Sequence, residues 1–190
     1  MAEFNVAYKI TSIVEGGYSN NPRDSGGETY KGIARNIEKH WKGWPIIDAI
    51  KKRVGTNPSD INREAAKDSL LQQFVLETYK VNYWNSLNLD GINDQKMSNE
   101  LYDTGVNMGV GTAGKFFQRV LNVATKTDLV VDGKIGTKTI ALFNSLNSAD
   151  KLMVWKLFNC LQGWRYISIC EANPYQEIFL RGWASRVFES

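Results

Sequence analysis

Histidine and cysteine are nearly absent from this 190-residue chain: His40 stands alone, and Cys160 and Cys170 are the only cysteines. One histidine excludes a multi-histidine metal centre. A Ser-His-Asp triad would have to use His40 with Glu38 as its nearest acid, and no Gly-x-Ser-x-Gly elbow supplies the serine. The two cysteines have no metal-ligand spacing and are too few for a disulfide-stapled scaffold at this length. Two reduced core thiols are expected, with a single disulfide left open. No apolar run approaches the roughly 18 to 20 residues that cross a bilayer. Met1-Ala2-Glu3-Phe4-Asn5 lacks a basic segment followed by an apolar stretch, so no secretory signal is expected. Internal repeats and low-complexity stretches are also missing. The net charge of +3 is modest; Lys51-Lys52-Arg53 reads first as a solvated helix face. Weak attraction to an anionic polymer would suit teichoic acid, peptidoglycan or nucleic acid alike. With 43% hydrophobic and 23% charged residues, the composition is that of a globular domain, not a disordered or fibrous chain.

What is present is helical spacing. Val6, Ile10, Ile13 and Val14 fall on one side of a first helix. Gly16-Gly17 ends it, glycine being costly inside a helix and free to take positive φ. From Gly16 to Ile33 the chain is turn-rich and suits an irregular loop or a small β-hairpin. A short amphipathic segment follows at Ile46, Ile47, Ile50 and Val54, before a break at Asn57-Pro58. Ser59 or Asn62 then caps a helix running to about Trp84, with Ala66, Leu70, Phe74 and Val81 on one side. Asn88 to Asp94 is a polar connector and the best lobe boundary. Beyond it, Ser98, Thr112 and Ser148 are the helix-start signals, Asp132-Gly133 a turn with Thr137 as cap, and Asn173-Pro174 a stop before a last helix. Trp155, Trp164 and Trp183 sit in apolar stripes and read as core, Trp41 and Trp44 as the better candidates for exposure.

One segment can carry chemistry. Glu15 falls at the last turn of the first helix, facing the negative end of its dipole, which tends to raise a carboxyl pKa. Asp24 follows nine residues on and Thr29 five beyond that. Glycoside cleavage needs an acid to protonate the leaving oxygen, and an opposite group that attacks, holds a water or stabilises oxocarbenium-like charge. A helix end followed by a doubling-back loop can set Glu15 and Asp24 on opposite sides of a cleft, with Thr29 orienting the water. By residue type alone, a structural loop with a chance carboxylate pair is the leading reading and the catalytic pair the second, since Asp24 before Gly26 suits a turn.

The string Glu15-Gly16-Gly17-Tyr18, then Pro22-x-Asp24-x-Gly26-Gly27-x-Thr29, then Lys31-Gly32-Ile33 resembles the signature of glycoside hydrolase family 108. The Glu-Asp-Thr order is also similar to the phage-type lysozymes, whose last gap is one residue longer. Tyr83-Trp84 resembles the family's aromatic pair. Tyr102-Asp103-Thr104-Gly105-Val106-Asn107-Met108-Gly109 and Val131-Asp132-Gly133-Lys134-Ile135-Gly136-Thr137-Lys138-Thr139 resemble motifs of its predicted peptidoglycan-binding region. Tyr30 departs from the pattern, where a smaller polar residue such as Asn is expected.

The resemblance implies a mainly α, lysozyme-like fold of two helical lobes with a small irregular, β-prone loop near the N-terminus. Residues 1–88 would form the catalytic lobe. Residues 89–190 would form a helical lobe resembling the peptidoglycan-binding region, packed with the first as one unit. The implied activity is an N-acetylmuramidase with Glu15 as general acid; Asp24 and Thr29 match by position with their roles open. Tyr18 and Tyr30 flank the loop and either stack on sugar rings or brace it. Asn107 either lines the sugar cleft or caps a kink made by Gly105 and Gly109, and Asp103, on the same helix face, is structural. Peptidoglycan glycan strands are the expected partner, without nucleic acid, membrane insertion, metal or cofactor, and the chain is expected to be a monomer. It would be made in the cytoplasm and reach the wall by release or dedicated export. The runner-up is a non-catalytic peptidoglycan-binding module for attachment or secretion control, against which the intact Glu15, Asp24 and Thr29 set argues.

Overall fold

The computed structural model describes residues 1–12, 16–20 and 27–188. It is mainly helical, with one small antiparallel sheet near the N-terminus. Contacts divide the chain into two compact units, one of residues 1–10 and 83–190, the other of residues 11–82. Among the described residues no helix is long and apolar enough to cross a membrane.

The unit of residues 11–82 holds the sheet, ordered β1 (Tyr18–Asn20), β2 (Glu28–Tyr30), β3 (Ile33–Ala34). Tyr18 pairs with Tyr30, Ser19 with Thr29 and Asn20 with Glu28; Tyr30 then pairs with Ile33 across a two-residue turn. That turn is Lys31-Gly32, with φ of 45° and 74°. Positive φ at both positions suits the right-handed twist of a tight hairpin, and Gly32 takes it without a Cβ penalty. Lys31 is held there by its neighbours: Tyr79 Oη donates to its carbonyl at 2.8 Å, and its Nζ donates to Gln72 Oε1 at 2.7 Å.

Three helices back this sheet. Pro45 sits in the first turn of α2 (Trp44–Val54), where its missing N–H costs nothing, and Trp44, Ile47 and Ile50 form the buried stripe. Asn57 caps α3 (Pro58–Ala65) and Asp68 caps α4 (Ser69–Tyr79). The single helix expected from residue 59 or 62 to about 84 is therefore two helices and a closing π-turn over Lys80–Asn85. Because Asp68 restarts the helix, its buried face shifts to Leu71, Val75 and Tyr79, leaving Leu70 and Val81 exposed. In α1 (Phe4–Ser12) the stripe is likewise offset: Phe4 and Ala7 are buried and Val6 and Ile10 exposed.

The other unit is built from α5 (Gln95–Met108), α6 (Val110–Thr125), α7 (Thr137–Asn144), α8 (Ser148–Ala172) and α9 (Glu177–Phe188). Phe4, Trp84 and Tyr102 form one aromatic cluster, while the pairs Phe116–Phe158 and Phe117–Phe143 tie α6 to α8 and α7. Helix starts lie upstream of the expected residues. Asp94, not Ser98, caps α5; Gly136, not Thr137, precedes α7; Asn147, not Ser148, caps α8. α6 begins at Val110, not Thr112, because Gly109 at φ +87° ends one helix and opens the next. The segment around 88–94 is no solvated linker: Leu87, Leu89 and Ile92 are fully buried and Leu89–Gly91 is a 3-10 turn.

Tryptophan burial departs from expectation at Trp164, while Trp41 and Trp44, the better candidates for exposure, lie inside. Trp41 and Trp44 are buried, packed edge to face with ring centroids 5.0 Å apart, and Trp44 carries the Arg35 guanidinium 4.3 Å above its ring. Trp164 is 56% exposed on α8. That helix is apolar on several faces, so spacing alone cannot say which face the core takes. Cys160 and Cys170 are free, the first exposed and the second buried.

Candidate functional site

Glu15 and Asp24 lie outside the described residues. The chain on either side of them is described, and it shows how the fold fixes their flanks. Two residues after Glu15, a Cβ on Gly17 would come 2.3 Å from Asn62 Oδ1, so any side chain here would push the Asn62 amide aside. That Asn62 oxygen accepts the Tyr18 backbone N–H at 2.6 Å, pinning the start of β1. The need for glycine at this position is close approach, since neither Gly16 nor Gly17 has positive φ. Gly17→Ala is expected to displace Asn62 and lose this bond. The expected stability loss is about 1 kcal/mol, measurable by thermal melting.

In the sequence, Asp24 falls between the residues of β1 and those of β2. Thr29 is the central residue of β2, half-buried and paired with Ser19 and Ala34. Side chains alternate along a strand, so Thr29 and Ser19 share the sheet face opposite Glu28 and Tyr30.

Glu28, which the sequence reading passed over, is the electrostatic hub of this hairpin. Its carboxylate pairs with Arg35 and with Lys51 at 2.6 Å, and accepts the Tyr18 hydroxyl at 2.7 Å. Arg35 in turn forks onto Asp48 at 3.1 and 2.7 Å. Burial by itself would raise the Glu28 pKa; hydrogen bonds from Lys51 and Tyr18 and the charge of Arg35 outweigh it and hold the carboxyl below its ordinary value. A depressed carboxyl contributes stability above its unfolded pKa, about 4.3, and loses it as pH falls through the folded value. Glu28→Gln is accordingly expected to cost about 1.5 kcal/mol at neutral pH and to lessen the drop in melting temperature below pH 4, read from melts across pH 3–7. The signal available in the sequence was one acid in β2 with Arg35 and Lys51 following, a set that only the fold brings together.

Tyr18 and Tyr30 are buried, at 5% and 1% exposure. Neither ring has a face open to a sugar, and both hydroxyls are spent internally, Tyr18 on Glu28 and Tyr30 as acceptor from Gln72 Nε2 at 2.9 Å. They brace the hairpin. This also explains the departure at position 30: the larger ring fills space against α4, and Gln72 ties it to the Ala65 carbonyl at 2.8 Å.

Asn107 is exposed in the other unit and caps no kink. Its Nδ2 donates to the Asp103 carbonyl at 2.8 Å and carboxylate at 3.1 Å, while Asp103 is ion-paired to Arg186 of α9 at 2.7 Å. Gly109 closes α5 through its own N–H to the Gly105 carbonyl at 3.0 Å.

The Asp132-Gly133 motif is a structural knot. Gln118 Nε2 donates to Asp132 Oδ1 at 2.8 Å and to the Lys134 carbonyl at 3.0 Å, and Gln118 Oε1 accepts the Gly133 N–H at 2.8 Å. Gly133 takes φ +84°, and a Cβ on Gly114 would sit 2.0 Å from the Gly133 carbonyl oxygen. These residues fasten the loop before α7 onto α6.

Residues 8–109 match the family model described as Glycosyl hydrolase 108, and residues 112–188 match the one described as Predicted Peptidoglycan domain. Among solved structures, SagA of Brucella abortus is similar, with a TM-score of 0.62 and 22% identity over 98% of this chain and 90% of that one. That likeness is one of fold and agrees with the mainly α architecture with its small N-terminal sheet. A search of curated protein sequences finds no match. The first family model spans more than half of the chain and contains the whole Glu15-to-Ile33 segment: the chain belongs to the glycosyl hydrolase 108 family and carries its predicted peptidoglycan domain at the C-terminal end.

Proposed function

We propose that the protein is an N-acetylmuramidase that hydrolyses the β-1,4 bond between N-acetylmuramic acid and N-acetylglucosamine in peptidoglycan. The observation that carries this reading is the family match over residues 8–109, which includes Glu15, Asp24 and Thr29 in their expected order. Glu15 is the general acid: its proton passes to the glycosidic oxygen as the bond to the anomeric carbon breaks. Asp24, with Thr29, holds the incoming water or stabilises the oxocarbenium-like charge. Thr29 suits such a role because its strand position directs it away from the braced face of the hairpin. The water's oxygen ends on the anomeric carbon, one of its protons goes to Asp24, and similarity to the phage-type lysozymes favours inversion. Residues 1–88 carry the chemistry in this reading and residues 89–190 hold the wall polymer. The chain acts alone, on the wall, after release from or dedicated export out of the cytoplasm.

Digestion of purified peptidoglycan, with products reduced and sized by mass spectrometry, tests it. Muramidase action leaves reducing N-acetylmuramic acid ends. Reducing N-acetylglucosamine ends, or freed stem peptides on intact glycan, would overturn the proposal.

A further inference from the structure

Helix α8 is 25 residues long and apolar on several faces, and the core uses only part of it. Its buried positions are Val154, Phe158, Asn159, Gln162, Tyr166 and Cys170. Met153, Leu157, Trp164 and Ile167 are exposed by 40, 38, 56 and 52%, and Cys160 between them is exposed as well. The steps along Met153, Leu157, Cys160, Trp164 and Ile167 alternate between four and three residues. All five therefore stand on one face of the helix, in a seam about 21 Å long at 1.5 Å per residue. Exposed Val123 on α6 shows the ordinary case, a single apolar side chain with polar neighbours one turn away at Arg119 and Thr127.

A helix that is apolar all round is one that packs on all sides. Alternating steps of three and four are the spacing by which one helix sets knobs into the holes of another at a small crossing angle, so the cover that fits this seam is an α-helix. Two features make a second copy of α8 that helix. The first is area. The exposed fractions amount to roughly 500 Å² per copy, so two copies face to face would bury about 1,000 Å², the lower bound for a specific interface. The second is that the seam complements itself when two copies run antiparallel about Cys160. Met153 of one copy then stands level with Ile167 of the other, Trp164 level with Lys156 beside Leu157, and the small Cys160 side chains meet at the twofold axis. Each Lys156 ammonium comes beside an indole, a pairing that α8 already makes where Lys96 Nζ stands 3.4 Å over the Trp155 ring. A parallel pair would instead set Trp164 against Trp164 and align the two helix dipoles, which the antiparallel pair opposes. Asp150 and Glu171 come level only at the ends of the seam, in solvent, where screening leaves their repulsion small.

We propose that the protein associates as a twofold dimer through this seam, the two α8 helices antiparallel and crossing at Cys160. The monomer expected from the sequence is then the dilute form. An interface of this size is a weak one, with a Kd of about 1–100 µM. None of Glu15, Asp24 and Thr29 lies on α8, so the pairing leaves hydrolysis to the single chain.

Sedimentation equilibrium of the full chain from about 1 to 300 µM, a range that brackets this Kd, tests the association. A reversible monomer–dimer equilibrium is expected. Trp164→Glu should raise its Kd at least about tenfold, tryptophan being the commonest anchor of an interface, and leave the melting temperature unchanged because Trp164 is exposed in the single chain. Val123→Glu, on the exposed face of α6, is the control and should leave the Kd as it is. The direction of pairing is read from a Cys160→Ser chain carrying Met153→Cys and Ile167→Cys, treated with a short bis-maleimide and digested for mass spectrometry; Cys170 is buried and does not react. Links from position 153 of one chain to 167 of the other are expected, since within one chain the two are about 21 Å apart, beyond a short linker. A chain that stays monomeric throughout, a dimer that Trp164→Glu leaves intact, or links joining 153 to 153 would each overturn the proposal. So would a monomer that binds anionic phospholipid vesicles through Trp164, which would give the seam to a membrane surface. Every readout is independent of peptidoglycan cleavage: an inactive protein that still dimerises through Trp164 would sink the muramidase reading and leave the dimer standing.

Discussion

Glu15→Gln is expected to lower the release of reducing ends from purified peptidoglycan by about 10²- to 10⁴-fold, the range over which a positioned general acid contributes. Glutamine keeps the size of the side chain and its capacity to hydrogen-bond, and removes only the transferable proton. The leaving alkoxide must then depart without protonation, while substrate contacts elsewhere are unchanged. The melting temperature should stay within a degree or two of the wild type, because a side chain that gives up a proton in the transition state is not what holds the fold. Asp24→Asn and Thr29→Ala test the companion roles and should cost less each, since either can lose its part while Glu15 still delivers the proton. Lysis near the wild-type rate by Glu15→Gln would remove the assignment entirely.

Gly114→Ala is expected to be the most damaging single methyl group in the C-terminal unit. The added Cβ would stand 2.0 Å from the Gly133 carbonyl oxygen, a backbone atom that no rotamer change can move aside. Gly133 itself cannot retreat freely, because a left-handed φ of +84° and the bond from its N–H to Gln118 hold it. The α6 helix or the whole loop must shift, so the cost lies at the upper end for overpacking, about 3 kcal/mol. For a chain of this length that is a fall in melting temperature of roughly 6 to 12 °C, readable by calorimetry. Gly111→Ala, one turn earlier on the same helix with open space for its Cβ, is the control and should be near neutral.

Much of the architecture was legible. The mainly helical class, the small hairpin of β1 and β2 and the stop at Asn173-Pro174 appear where the residues pointed, because each is set locally by backbone preference. The errors have local causes too. Asp68 sits inside an otherwise continuous apolar pattern, and its capping bond to the Leu71 N–H splits one helix into two. Trp164 and Trp44 exchange their expected surroundings because burial depends on which face a neighbour covers, a quantity with no signature in spacing.

Glu15, the proposed general acid, was conspicuous from its motif and needed no coordinates to be singled out. The sequence by itself therefore determined the family, the helical class and the acid candidate, since these follow from residue identity and order along the chain. Only the tertiary structure decided what holds the hairpin and which face of α8 stays uncovered. Glu28 meets Lys51 and Gly17 meets Asn62 only after distant segments pack, and the exposed seam of α8 is what that packing leaves over. Charge pairing, close approach and burial are properties of distances in space, and the separations along the chain do not contain them.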